Sequence, residues 1–171
     1  MAKQIVSIVE DFRVLDGGNM VEDVQTVTLP NITHPTTTIA GSGMAGEIDM
    51  PDGSQVSAMS YSLAHNCGLN SQRLSRPGVH EQEFRVAKQV YDKESGELRH
   101  QSMKVRVRGI FTGEDKGSIQ RKNANGRTAN YSCVRYEEEA DGNVVTLIDI
   151  PGGLMIIDGV DYGSTVKNLL E

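Results

Sequence analysis

The sequence predicts a mainly β protein, and three observations support that prediction. Apolar and polar residues alternate with the period of two that is typical of half-buried strands, and β-branched residues recur in the same segments. Asn-Gly and Asp-Gly dipeptides, which favour tight hairpins, separate several of those segments.

Glycine accounts for 18 of the 171 residues, and Trp is absent. Because aromatic side chains supply much of a core's area, this composition favours burial against other chains, with an ordinary small β domain as the alternative.

The chain has the length of one domain, which we expect to span residues 1–171. Its first predicted strand, residues 24–29, is rich in β-branched side chains and stops at Pro30, which cannot donate to a ladder. Residues 30–53 follow as one loop, too polar for a core element and far longer than the ~4–6 residues of an ordinary connection. Such a loop is either disordered or functional. Its composition favours an extended, two-armed excursion that turns near Gly41, Gly43 and Gly46.

Alternation resumes over residues 55–65 and predicts a strand with one apolar and one small, polar face. The apolar face carries Met59, Tyr61 and Leu63, and the opposite face carries Ser60 and Ser62. Between residues 68 and 78, two leucines followed by Pro77-Gly78 predict one short helix.

Two long strands, residues 83–92 and 99–112, are predicted to form a hairpin across a turn at residues 93–96. Alternate residues of the second strand are apolar and face the predicted core. Its other face carries three cations, Lys104, Arg106 and Arg108. These cations are interpreted either as a solvated face or as a contact between subunits.

The C-terminal part continues with predicted strands at residues 130–139, 144–150 and 154–158. In the second of these, Val145 and Leu147 are predicted on the face opposite Thr146, although Ile148 does not fit that alternation. The turns predicted before and between these strands are Asn125-Gly126, Asp141-Gly142 and Pro151-Gly152-Gly153. A brief terminal helix is predicted to begin with Ser164 as its N-cap.

The formal net charge of −6 conceals three blocks of alternating sign. Residues 1–84 hold 4 basic and 10 acidic side chains (net −6), residues 85–127 hold 11 and 5 (net +6), and residues 128–171 hold 2 and 8 (net −6). One interpretation is that neighbouring strands pair their charges within the subunit. The other is that opposite faces carry opposite charge, which favours head-to-tail association.

Neither a cofactor site nor a catalytic site is predicted. Residues 41–46 match GxGxxG letter for letter, but that motif needs a buried strand before it and a helix after it, and Pro51 and Gly53 interrupt any such helix. His65 and Cys67 place an imidazole near a thiol, but no third group is supplied to orient them and no paired-Cys or HExxH pattern is present. We therefore expect no catalytic residue, no cofactor and no metal.

Composition also argues against several other classes of protein. No apolar run reaches the ~18 residues of a membrane helix, and acids at Glu10 and Asp11 do not fit a signal peptide, so a soluble, cytosolically made chain without a membrane anchor is expected. Cys67 and Cys133 lie far apart and are expected to be free thiols. Nucleic-acid binding by the basic strand is disfavoured because the chain is acidic overall and no aromatic residue alternates with the cations.

Three stretches, taken together and in order, resemble the major tail tube protein family of contractile-tailed phages and R-type tail-like bacteriocins. They are residues 21–53, with the TLP step and the Gly-Met-x-Gly turn, residues 104–117 (KVRVRGIFTGEDKG) and residues 136–162 (YEEEADGNVVTLIDIPGGLMIIDGVDY). The resemblance implies a β-sandwich- or barrel-like subunit with one short helix and a long loop. Its hexameric rings would stack head to tail into a hollow tube, and strands of six subunits would join in a large inner barrel.

The resemblance also implies residue roles and partners. The loop 30–53 would reach a neighbouring subunit or ring through Ile39, Met44 and Ile48, with Gly41, Gly43 and Gly46 allowing its turn. Ser60, Ser62 and Asp149, and also Glu139, are candidates for a polar lumen face. The implied partners are a sheath protein, a baseplate initiator, a tail terminator and duplex DNA that passes without specific binding, which an acidic lining would favour by repelling phosphates.

The function predicted from the sequence is therefore that of a structural subunit in the virion tail or an extracellular tail-like particle, without enzymatic activity. Alternatives are the tube protein of a type VI secretion system or of a non-contractile tail. More distant alternatives are a small-ligand-binding β-barrel domain and an enzyme that uses the GxGxxG loop.

Overall fold

The computed structural model describes residues 4–171, with side chains from residue 7 onward. The described chain contains twelve strands, one short 3-10 helix at Ser71–Ser75 and one α-helix, α1 (Tyr162–Leu170). The strands are β1 (Gln4–Asp16), β2 (Asn19–Val21), β3 (Val24–Thr28), β4 (Thr36–Ile39), β5 (Ile48–Pro51), β6 (Met59–His65), β7 (Val79–Asp92), β8 (Leu98–Asp115), β9 (Arg127–Ala140), β10 (Asn143–Asp149), β11 (Leu154–Ile157) and β12 (Val160–Asp161). The prediction of a mainly β subunit is confirmed.

Ten of the strands form one antiparallel sheet, and β4 and β5 form a separate two-stranded sheet. The main path runs β12-β11-β10-β9-β8-β7-β1-β2. One edge of β9 is shared, because β6 pairs with its first half and β10 with its second half. β3 pairs only with β6. The sheet therefore branches at β9, and the chain leaves it for the two-stranded sheet between β3 and β6.

The core forms where β6 folds over the long hairpin of β7 and β8. The Tyr61 ring stacks on Tyr131 with centroids 4.9 Å apart and meets the edge of Phe84 at 6.4 Å. The Tyr61 hydroxyl donates to Oε1 of Gln82 at 2.9 Å, which gives both of these buried oxygens a partner inside the core. Gly109 lies directly beneath the Tyr61 ring, where a Cβ atom would collide with it. The missing side chain at this position is what lets β6 approach β8 so closely.

Most predicted elements are present. Strands β7, β8 and β9 extend beyond the predicted bounds, whereas β6 begins at Met59 rather than at residue 55. The apolar face of residues 59–63 is buried as predicted, and the β7–β8 hairpin turns at the predicted place. The helix expected between residues 68 and 78 is the 3-10 helix, which buries Leu74, whereas Leu69 is exposed. Both cysteines are free, Cys133 in the core and Cys67 at the surface.

Several details predicted from the sequence were wrong. Asp161, not Ser164, is the N-cap of α1, because its Oδ1 accepts the backbone N–H groups of Gly163 and Ser164 at 2.9 and 3.2 Å. In β10 a register shift between Val144 and Thr146 reverses the alternation, so Ile148 is the buried residue. The Asn125-Gly126 turn is the end of an 11-residue loop, residues 116–126, rather than a tight hairpin. Strands β1 and β2 were not predicted.

Candidate assembly surfaces

The long loop forms a hairpin that stands off the main sheet, here called the projecting hairpin (residues 36–51). It consists of β4 and β5, and every one of its residues is exposed. Thr38 Oγ1 donates to Asp49 across the strands at 2.7 Å. Below it the two arms stay joined, since Ser57 N–H donates to Thr33 O at 2.8 Å and His34 Nδ1 approaches Gln55 O at 2.7 Å. The predicted two-armed excursion is therefore present in the isolated subunit.

The six residues proposed for assembly come together at the outer half of this hairpin. Ile39 and Ile48 are cross-strand neighbours, 44% and 55% exposed, and Met44 lies in the turn beyond them. Gly43 has a φ of +90°, which favours glycine, and the Met44 N–H donates to Gly41 O at 3.2 Å. Met50 is exposed too and was not singled out from the sequence. The hairpin thus presents apolar side chains that nothing within the described subunit covers, and their role in assembly stays a prediction.

The outer face of the long strands carries a grid of charged side chains in three cross-strand rows, here called the charged face. The register of β7, β8 and β9 aligns them as Glu81–Arg108–Arg135, Glu83–Arg106–Glu137 and Arg85–Lys104–Glu139. Each row contains opposite charges on adjacent strands, an arrangement that stabilises a sheet surface, although Arg108 also lies opposite Arg135 and Lys104 opposite Arg85. The basic strand is thus placed between two strands that carry acids.

Arg106 lies at the centre of the charged face and contacts three carboxylates. Its Nη1 is 2.7 Å from Glu137 and 3.2 Å from Glu139, and its Nε is 3.4 Å from Glu83. Hydrogen bonds from Arg85 and Arg106 lower the pKa of Glu83, and the bond to Glu137 raises the pKa of Arg106. Arg108 pairs with Glu81 at 2.7 Å. The interpretation that charges pair within the subunit therefore describes Arg106 and Arg108, and a subunit contact by Lys104, Arg106 or Arg108 stays a prediction.

Replacing Arg106 with Met should destabilise the subunit by about 1–2 kcal/mol near neutral pH, because three carboxylates lose their shared cation and repel one another. Folding lowers the pKa of Glu83 from the 4.5 of the unfolded chain, so the ionised carboxyl stabilises the folded protein above pH 4.5. This stabilisation is lost as the pH falls through the pKa of the folded state. The difference between R106M and the original protein should therefore shrink below pH 4.5. Urea unfolding at pH 7 and pH 3.5 measures it.

Lys93→Met is the matched control, because Lys93 is exposed in the β7–β8 turn and forms no ion pair within residues 7–171. We expect it to change the free energy of unfolding by no more than about 0.5 kcal/mol. An equal loss in R106M and K93M would show that the charged face contributes nothing specific.

The predicted lumen residues lie on the same outer surface but do not form one cluster. Ser60 and Ser62 face outward on β6 opposite Ser132 and Asn130 of β9, in a patch rich in hydroxyl and amide groups. Asp149 ends β10, where its Oδ1 accepts the Gly152 N–H at 3.1 Å and shapes the following turn. Their position along a lumen stays a prediction.

The residues weighed for chemistry have structural roles. His65 is buried, its Nδ1 accepts the Cys67 N–H at 3.3 Å, and its Nε2 lies 3.5 Å from Glu114. Within the described residues Nδ1 makes the one hydrogen bond of the ring, whereas the buried Nε2 makes none and is only near the Glu114 carboxylate. Desolvation lowers the pKa of His65. The glycines of residues 41–46 lie in the turn between β4 and β5, so no helix N-terminus follows them to receive a pyrophosphate.

Comparison with known proteins gives two results. A family described as phage tail tube protein FII matches residues 7–170. Among solved structures, the fold is similar to the extended-state sheath-tube complex of the PVC extracellular contractile injection system (TM-score 0.51, 16% identity, 75% of this chain and 88% of that one). It is also similar to the tube terminating cap of the anti-feeding prophage (TM-score 0.54, 14% identity, 81% and 94%). No curated protein matches the sequence, and within residues 4–171 no helix is long and apolar enough to cross a membrane.

Proposed function

This chain belongs to the phage tail tube protein FII family, and from that premise we propose how it works as a structural subunit of a tail tube. Six copies form a ring, and rings stack head to tail into the hollow inner tube of a contractile tail. The observation that carries this proposal is the family match over residues 7–170, which covers the sheet, the projecting hairpin and the terminal helix.

The open edges of the sheet support ring formation. In the described chain, β2, β3 and β12 each pair with a single neighbour, so the ten-stranded sheet does not close on itself. An exposed edge is a template for another strand, and closure across subunits removes it. We infer that such edges join neighbouring subunits, so that six sheets contribute to one inner barrel.

The projecting hairpin supplies the second type of contact. Its exposed apolar residues would be covered by a neighbouring subunit or ring, which explains why so long an excursion accompanies a small core. Sheath protein outside the tube, a baseplate initiator at one end and a terminator at the other are the remaining protein partners. Similarity to a tube in a sheath-tube complex and to a tube cap supports this assignment.

The tube acts passively, as a rigid conduit that is driven forward when the sheath contracts. Duplex DNA, where a genome fills the tube, would pass without specific binding, because a net charge of −6 per subunit repels phosphates. The lumen candidates are Ser60, Ser62 and Asp149. The chain would act in the virion tail or in an extracellular tail-like particle after synthesis in the host cytoplasm.

Electron microscopy of the purified chain tests the assembly directly. We expect hollow tubes or six-fold rings in negative stain, formed spontaneously at high concentration or on a baseplate seed. A chain that stays monomeric under both conditions would overturn the proposal.

A further inference from the structure

The two long loops of the chain carry opposite charge. Residues 30–58, which include the projecting hairpin, contain three acids (Glu47, Asp49, Asp52) and no Lys or Arg. The loop 116–126, here called the basic loop, contains three cations (Lys116, Arg121, Lys122) and no acid. All of its residues except Asn125 are exposed, and Ile119 is 93% exposed. Each loop therefore has the charge and the apolar side chains that would complement the other.

The basic loop has a defined shape. At its base Gly117 lies against Gly126 so closely that a Cβ would collide with the Gly126 carbonyl, and its φ is +65°. The Gly117 N–H donates to Asp115 Oδ1 at 2.9 Å, and Asn123 makes two bonds to Gln120 at 2.8 and 3.2 Å. Lys116 pairs with Glu114, whereas Arg121 and Lys122 form no ion pair within residues 7–171. Two cations and an isoleucine are thus held out to solvent on a closed loop.

The two loops lie at opposite ends of β6. The chain enters β6 at Met59 directly from the hairpin segment, whereas the last residue, His65, pairs with Arg127, where the basic loop ends. Seven residues of strand separate the two by roughly 20 Å. Because the two loops leave opposite ends of β6 in one subunit, we expect complementary contact to involve a second copy arranged head to tail, which is the geometry of a heterologous interface.

We propose that the projecting hairpin of one subunit docks on the basic loop of a neighbouring subunit. Glu47 and Asp49 face Arg121 and Lys122, and Ile119 packs against the Ile39–Ile48 pair. This inference rests on the proposed tube function and adds the receptor surface for the hairpin. Charge complementarity then sets the direction of stacking, because two hairpins or two basic loops repel each other.

Charge reversal tests the contact. The variant R121E/K122E should fold normally, since both side chains are exposed, but its critical concentration for tube formation in about 50 mM salt should rise at least about tenfold. E47K/D49K should show the same loss, and the combination of all four changes in one chain should restore assembly. The single variants R121E and K93E form a matched pair with equal charge change, and only R121E should weaken assembly.

A disulfide measurement checks the contact independently of charge. With Cys67 replaced by Ser, an I39C/I119C chain oxidised in preformed tubes should give a ladder of covalently linked subunits, whereas I39C/L98C, with a second exposed position at the far end of β8, should not. The docking would be overturned, and the tube function left intact, if the unchanged chain forms tubes, R121E/K122E assembles as well as that chain does, and no ladder appears. Failure of the original chain to form any tube would instead overturn the proposed function.

Discussion

Replacement of residues 38–48 by a short Gly-Ser turn should leave a folded subunit that no longer forms tubes. The projecting hairpin forms its own two-stranded sheet, so its outer half contributes little to the subunit's core. In an assembly, by contrast, covering Ile39, Met44 and Ile48 would contribute about 1 kcal/mol each, allowing for their partial exposure. The roughly 3 kcal/mol lost per contact corresponds to more than a hundredfold in its association constant.

The measurement is a comparison of sedimentation and negative-stain images with thermal unfolding of the same samples. The midpoint of unfolding of the free subunit should change by only a few degrees, since the hydrogen bonds below the hairpin remain. A matched control replaces residues 93–95 of the exposed turn between β7 and β8 with Ser-Gly-Ser, keeps Gly96 because its φ is +69°, and should retain tubes. Normal tubes from the hairpin variant would contradict the assembly role of this loop.

The sequence predicted the elements whose two faces differ in polarity. β6, β7, β8 and β9 alternate clearly, because one face packs on Tyr61 and Phe84 while the other meets water. Strand β1 was missed although it spans 13 residues, because its exposed Ile8 and Val9 blur the alternation. The alternation in β10 was misassigned for a related reason, since a register shift changes which side chains point inward and leaves no trace in composition.

The candidate surfaces were predicted in part for the same physical reasons. The hairpin was identified because glycines and β-branched residues act locally, through the torsion angles that they allow. The charged face could not be specified, because the rows of Arg106 and Arg108 depend on the register of three strands. The basic loop was not singled out from the sequence. Its proposed role as a receptor for the hairpin depends on the position of the two loops at opposite ends of β6, which only the folded chain defines.

Replacement of Phe84 by Ala should produce the largest loss of subunit stability. Phe84 is 2% exposed and packs against Tyr61 of the Tyr61–Tyr131 stack, so its removal leaves a cavity. The two tyrosine rings cannot readily move to fill it, because their hydroxyls are hydrogen-bonded to Gln82 and to the Leu74 carbonyl. Such a change costs about 3–5 kcal/mol, a large part of the ~5–15 kcal/mol by which domains are stable. The midpoint of thermal unfolding of the free subunit should fall by about 6–20 °C.

The matched control is Val79→Ala on the same strand, where a 64% exposed side chain is removed and the free energy of unfolding should change by no more than about 0.5 kcal/mol. A loss below 1 kcal/mol in F84A would show that β6 does not depend on this contact. Assembly should mask much of the defect, because tubes bind only the folded state and stabilise it by mass action. The unfolding midpoint of F84A should therefore be closer to that of the unchanged protein in tubes than in free subunits. Because this stabilisation requires contacts between subunits, it should disappear when F84A is combined with the Gly-Ser replacement of the hairpin.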